Sequence, residues 1–122
     1  MVARFGKRAR LLSKADYSYV FAKPIRSADR FFTVLVRPNK FTHARLGLAV
    51  SRKTAKSAVV RNRIKRTIRE SFRQQEILQH IDIVVISKPN LVQANNPDLR
   101  LSLQNHWQKL NRTLKTKSLI NV

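Results

Sequence analysis

The stretch AVVRNRIKRTIRESFR, residues Ala58–Arg73, decides the fold. Placed on a helix at 100° per residue, its large apolar side chains fall on one side. These side chains are Val60, Ile64, Ile68 and Phe72. Basic residues occupy most of the remaining circumference, and Glu70 is the single acid within the stretch. The pattern therefore predicts a long amphipathic helix that buries one face and presents a broad cationic face.

The cationic face differs from an ordinary solvated helix surface. Solvated helices usually mix charges of opposite sign at i,i+4 spacing, whereas like charges at that spacing repel. A polyanionic partner would offset this repulsion, so the pattern favours a nucleic-acid surface over a solvated one. Arg52, Lys53 and Lys56 precede the helix and either extend the phosphate-binding surface or form an exposed loop.

Composition points to the same class of partner. The chain has 122 residues, a formal net charge of +20 and a hydrophobic content of 43%. This length and apolar content suit one domain with one core, and the charge invites a polyphosphate partner. A membrane surface is the competing polyanion, but no apolar run approaches the roughly 20 residues of a spanning helix. The absence of cysteine fits a cytoplasmic protein.

The order of the remaining segments predicts an α+β sandwich in which helices pack on a small mixed sheet. We expect one domain over residues 1–122, with a basic arm at 1–12 and a tail at 116–122 that are both mobile. A first helix begins after Ser13 and ends at Lys23-Pro24. Strands are expected at 31–37, 45–51 and 81–87, with a turn or brief edge strand at 25–30, and the first two are expected to pair as a hairpin. The central helix is expected to continue to about residue 78, and a last helix begins near Pro97.

Side chains for autonomous catalysis are scarce. The three histidines, His43, His80 and His106, stand in unrelated contexts, and surface or packing roles suit them better than metal binding. With only two glycines in the chain, a glycine-rich phosphate loop cannot be built. Aromatic side chains can stack on unpaired bases. Tyr17 and Phe21 on the first helix are candidates for such stacking, and an equally good interpretation makes them helix-to-sheet core residues.

Four ordered segments resemble the protein subunit of bacterial ribonuclease P. The Arg61-Asn62-Arg63 run within VVRNRIKRTIRESFR is similar to the RNR motif of that family. The resemblance extends to DYSYVF in the first helix, RLGLAVSRK in the second strand and DIVVI before Lys88-Pro89. It implies an α-β-β-β-α-β-α fold with a left-handed crossover. It also implies a function, endonucleolytic removal of the 5′ leader of precursor tRNA.

The resemblance assigns the chemistry to a catalytic RNA that uses Mg²⁺, with no catalytic residue and no metal on the protein. The expected partners are this RNA and precursor tRNA, with no membrane and no protein partner. The expected contacts with the catalytic RNA are Lys53, Arg61, Asn62, Arg63, Lys65, Arg66 and Arg69. The expected contacts with the single-stranded leader are Tyr17, Phe21, Thr33 and Leu35.

Two other functions remain open from the residues alone. A structural ribosomal-RNA-binding protein would carry a similar basic helix. A DNA-binding protein would insert that helix into the major groove, although the cationic arc is broader than a recognition helix with a few base-reading positions requires.

Overall fold

The computed structural model describes residues 10–11, 13–75, 80–89, 91 and 94–120, with the backbone alone for 116–120. The helices are α1 (Lys14–Ala22), α2 (Ala58–Arg73) and α3 (Asn96–Ile120). The strands are β1 (Ile25–Ala28), β2 (Phe32–Pro38), β3 (Arg45–Ala49) and β4 (Ile81–Ser87). The predicted element order is confirmed. Of the predicted arm and tail, residues 1–9, 12 and 121–122 lie outside the described residues.

The four strands form one mixed sheet in the order β1-β2-β4-β3. β2 pairs antiparallel with both β1 and β4, whereas β3 runs parallel to β4. The predicted hairpin between the strands now numbered β2 and β3 is therefore wrong, because β4 lies between them. β4 is apolar on both faces and is buried along nearly its whole length, so it needs neighbours on both edges. The β3–α2–β4 connection is the crossover that the resemblance implied, and its hand remains a prediction.

The sheet separates a large core from a small one. The large core lies between the sheet and α2 with α3, and it contains the fully buried side chains Phe32, Ile64, Ile68 and Trp107. The small core lies on the opposite face beneath α1. It consists of Leu11, Val20, Leu35 and Val84, with Tyr17 and Ile86 packed against them. Alternate residues of β2 and β4 thus serve different cores, as a period of two requires.

Local signals set the helix ends. The Ser13 hydroxyl accepts from the Asp16 N–H and the Asp16 carboxylate accepts from the Ser13 N–H, which completes a capping box at α1. At α2 the Ser57 hydroxyl accepts from the Val60 N–H, without a reciprocal bond from the third residue of the helix. α2 ends at Arg73 rather than near 78, since Gln74 and Gln75 are no longer helical. The structure describes nothing of residues 76–79.

Asp29 ties the β1–β2 turn to α3. Its carboxylate accepts hydrogen bonds from the backbone N–H of Phe31 at 2.9 Å and of Phe32 at 2.8 Å, and from the Ser102 hydroxyl. The Nε2 atom of His106 lies 3.0 Å from the same carboxylate. Burial raises the pKa of Asp29, but the hydrogen bonds and the nearby imidazole outweigh burial and hold that pKa below its ordinary value.

Gly47 allows α1 to approach the sheet. A Cβ atom at this position would stand 2.6 Å from Cε1 of Tyr17 and 2.9 Å from its hydroxyl oxygen. The Tyr17 ring therefore lies directly over the β3 backbone. A glycine within a strand often marks such a close approach, and here the neighbour is this aromatic side chain.

We expect Asp29→Asn to destabilise the fold by about 1–3 kcal/mol at neutral pH, because a charged acceptor with several donors is lost. A carboxyl group whose folded pKa is depressed contributes stability above its unfolded pKa, near 4, and loses that contribution as the pH falls through the folded pKa. The difference between wild type and variant in urea unfolding should therefore shrink below about pH 4. A difference that stays constant down to pH 2 would contradict this role.

Gly47→Ala should destabilise the fold by about 1–3 kcal/mol, because the new methyl group displaces the Tyr17 ring. The loss should be smaller when Tyr17→Leu is already present, since the overlapping ring has been removed. Urea unfolding of the two single variants and the double variant measures this coupling. Strict additivity of the two substitutions would show that the ring does not occupy the space above Gly47.

Candidate RNA-binding surface

α2 presents the predicted cationic face because its apolar side chains are used against the sheet. Ile64, Ile68 and Phe72 are buried, which turns the opposite side of the helix outward. Asn62, Arg63 and Arg66 are exposed on that side. The other predicted contacts on the helix, Arg61, Lys65 and Arg69, are half-buried, and Lys53 is exposed in the connector that precedes α2.

Arg61 has a structural task within this surface. Its Nη1 atom donates to the carbonyl oxygens of Ala55 at 2.9 Å and Lys56 at 2.8 Å. The buried Thr54 hydroxyl donates to the Ser87 carbonyl at 3.0 Å, which fixes the same connector to β4. The connector is therefore anchored at two points. Its lysines stand in a defined position beside the N-terminus of α2.

The basic residues of α2 form one wall of a groove of about 350 Å³. The end of the N-terminal arm contributes the facing side chain, Arg10. Arg10 forms an isolated parallel β-bridge with Leu46 at the outer edge of β3, and the Leu11 N–H donates to the Leu46 carbonyl at 3.0 Å. The side chains that line the groove are Arg10, Asn62, Arg66, Arg69, Glu70 and Arg73. Four guanidinium groups thus face a single carboxylate.

The pKa of Arg69 reflects this crowding of like charges in the groove. Burial lowers the pKa of Arg69, and the guanidinium groups of Arg10 and Arg73 lower it further. Guanidinium groups bind phosphate oxygens through paired charge-assisted hydrogen bonds, so an RNA backbone has the chemistry that fits. Arg10 and Arg73 were not among the predicted contacts. Arg73 lies on the predicted cationic face of α2, one helical turn after Arg69, whereas Arg10 is placed by a distant strand.

A second surface lies on the opposite face of the sheet, along α1. Val20 points into the small core, and Tyr17 and Phe21 follow on one flank of the helix, at i,i+4 spacing. The sheet beside this flank carries a row of paired residues across four strands. That row is Ala28, Thr33, Ile86 and Ala49.

The side chains of the four predicted leader contacts differ in solvent exposure. Phe21 is 49% exposed, and Tyr17 is half-buried over Gly47. Thr33 and Leu35 are 9% and 7% exposed. Leu35 belongs to the small core together with Val20, so its main contact is α1. The accessible aromatic surface here is therefore provided by Phe21 and part of Tyr17.

The histidines are engaged in hydrogen bonds or ring packing. His106 is buried, with Nδ1 2.7 Å from the Ser27 hydroxyl, and His80 Nδ1 lies 2.6 Å from the Phe41 carbonyl. The His43 ring contacts the Phe41 ring at a centroid distance of 5.7 Å. Within the described ranges, no three metal-binding side chains cluster together. Over the same ranges, no helix has the length and hydropathy to cross a membrane.

Comparison with known proteins identifies the family. A family model described as Ribonuclease P matches residues 5–111. The ribonuclease P protein component of Methylococcus capsulatus is 46% identical over 109 residues, covering 88% of this chain and 85% of the relative. That of Aliivibrio fischeri is 43% identical, covering 88% of this chain and 93% of the relative.

Solved structures agree in fold. The RNase P protein of Staphylococcus aureus superimposes with a TM-score of 0.79 at 33% identity, covering 84% of this chain and 94% of that one. The RNase P protein of Thermotoga maritima gives a TM-score of 0.70 at 33% identity, covering 79% and 92%. The chain therefore belongs to the ribonuclease P protein family, and it is the protein component that works with the RNase P RNA in this ribonucleoprotein endoribonuclease.

Proposed function

We propose that the two surfaces divide the binding work of the subunit. The basic face of α2 with the facing arm holds the RNase P RNA, and the α1 cleft holds the single-stranded 5′ leader of precursor tRNA. The observation that carries this proposal is the groove in which four arginines face one carboxylate. The proposed RNA contacts are Arg10, Lys53, Asn62, Arg63, Lys65, Arg66, Arg69 and Arg73, with Arg61 positioning the connector.

The subunit assists catalysis by charge neutralisation. Lysine and arginine side chains that neutralise phosphates release condensed counterions, which favours binding and makes it depend on salt. Cations supplied by the protein also share the screening that Mg²⁺ would otherwise provide. The RNA uses Mg²⁺ for the chemistry, and the protein supplies no catalytic residue and holds no metal in this mechanism. The place of action is the cytoplasm.

The cleft suits a single strand of unspecified sequence. Phe21 offers an exposed ring, and stacking on an aromatic ring is available to every base. Tyr17 extends the same flank, Thr33 adds a hydroxyl to the floor, and Leu35 supports α1 from below. Stacking without base-specific hydrogen bonds would let one cleft accept leaders of many sequences.

We expect Arg66→Gln and Arg73→Gln each to weaken binding of the RNase P RNA and to reduce the slope of log K against log salt by about one. Cleavage of precursor tRNA by the reconstituted holoenzyme should then require more Mg²⁺. Lys109→Gln, which removes an exposed charge on α3, is the matched control and should leave both quantities nearly unchanged. Equal effects of all three substitutions would indicate a general charge effect and contradict a defined surface on α2.

Phe21→Ala should weaken holoenzyme binding of precursor tRNA about fivefold to tenfold, the scale of one lost base stack. The loss should disappear with a precursor whose leader is shortened to one nucleotide, and assembly with the RNase P RNA should be unaffected. Val59→Ala, at a more exposed apolar position on α2, serves as the control. An equal loss with long and short leaders would place Phe21 outside the leader site.

A further inference from the structure

Two exposed aromatic rings lie at one end of the sheet, where β2 ends and where β3 and β4 begin. Tyr19 on α1 is 40% exposed, and Phe41 in the β2–β3 connection is 46% exposed. Each ring rests on a guanidinium group from a strand. The Arg37 guanidinium carbon lies 3.9 Å from the Tyr19 ring centroid, and that of Arg45 lies 4.4 Å from the Phe41 centroid.

The two arginines are held in place by the sheet. Arg37, Asp82 and Arg45 are paired neighbours across β2, β4 and β3, so all three belong to one row on the α1 face. Asp82 is 1% exposed and accepts from Arg45 Nε at 2.8 Å and Nη2 at 2.7 Å. Arg37 Nη1 donates to the Tyr19 carbonyl at 2.7 Å. Both cationic planes are therefore fixed before any ligand arrives.

Hydrogen bonds also position the two aromatic residues. The Tyr19 hydroxyl donates to the Pro38 carbonyl at 2.6 Å. Asn39 Oδ1 accepts from the Phe41 N–H at 2.9 Å, and His80 Nδ1 lies 2.6 Å from the Phe41 carbonyl, which requires the proton to be on that nitrogen. His80 adopts a left-handed conformation with φ of 60°, which is uncommon for a residue with a side chain. Hydrogen bonds thus hold the Tyr19 ring through its hydroxyl and position the backbone that carries the Phe41 ring.

The two rings contribute little to the packing of the hydrophobic cores. Neither ring belongs to either core cluster of the described residues. Single exposed apolar side chains are common and need no explanation. Two rings at one end of the sheet, each packed against a guanidinium and each on a hydrogen-bonded residue, form a preorganised surface. Exposed Lys40 and half-buried Arg37 add positive charge, whereas Asp82 and Asp16 offset the charge of Arg45. The complementary ligand therefore combines a flat aromatic group with negative charge.

We propose that Tyr19, Arg37, Phe41 and Arg45 form an aromatic platform on which unpaired RNA bases stack. The platform is separate from the leader cleft, because helical geometry places Tyr19 and Asp16 on one flank of α1 and Tyr17 and Phe21 on the other. The Arg45–Asp16 contact at 3.4 Å and the Tyr17 ring over Gly47 agree with this division. The stacked bases come from the RNase P RNA or from an unpaired end of precursor tRNA.

The direct test is NMR of the full-length protein titrated with a short oligoribonucleotide and with an abasic strand of equal length and charge. Stacking should move the ring-proton resonances of Tyr19 and Phe41 upfield with the oligoribonucleotide, and the abasic strand should leave them in place. Rings that stay unshifted with both strands, or that shift equally with both, would overturn the proposal.

Substitutions identify the source of the bases. Phe41→Ala and Tyr19→Leu should each weaken binding about fivefold to tenfold, either in assembly with the RNase P RNA or in holoenzyme affinity for precursor tRNA. Tyr19→Phe keeps the ring and should retain most binding, and Leu101→Ala removes a more exposed apolar side chain on α3 as a control. Full RNA binding by Phe41→Ala and Tyr19→Leu, with thermal unfolding unchanged, would overturn the proposal. Such a result would leave the α2 surface and the leader cleft untouched.

Discussion

The fold depends on surrounding the buried strand β4 with strands at both edges and helices on both faces. Ile81–Ser87 is buried on both faces of the sheet, so the strand needs β2 and β3 at its edges, α2 with α3 on one face and α1 on the other. Each of these elements has a second side that β4 does not use. The outward sides of α2 and α1 are the proposed binding surfaces, so the burial of one strand determines where the candidate side chains stand.

Residues of one motif have different tasks because helical geometry separates them. Arg61 reaches back to two carbonyl oxygens of the connector, whereas Arg63 and Arg66 remain exposed. Substitution of Arg61 would alter the position of Lys53 as well as remove a charge. Its effect on RNA binding would therefore mix structure with electrostatics, and Arg66 and Arg73 are cleaner reporters of the phosphate surface.

The periodicity of apolar residues in the sequence predicted those features that depend on a single helix or strand. It identified α2, its buried residues and its cationic arc. It failed where the answer depends on another part of the chain. The economy of a local hairpin suggested that β2 pairs with β3, but the two-sided burial of β4 outweighs local pairing. The alternation in β2 also could not show that α1 covers Leu35 and leaves Phe21 open.

The same limit explains why the position of Arg10 against α2 and the aromatic platform escaped sequence reasoning. Arg10 has no local pattern that sets it apart from the other basic residues of the arm, and it faces α2 only because Leu11 bonds to β3. Arg37 and Arg45 are eight residues apart in sequence and become neighbours of Asp82 only when β4 enters between their strands. A hairpin of β2 with β3 would have excluded Asp82 from between them and left two guanidinium groups to repel each other. The topology that the sequence did not predict is thus the condition for the proposed platform.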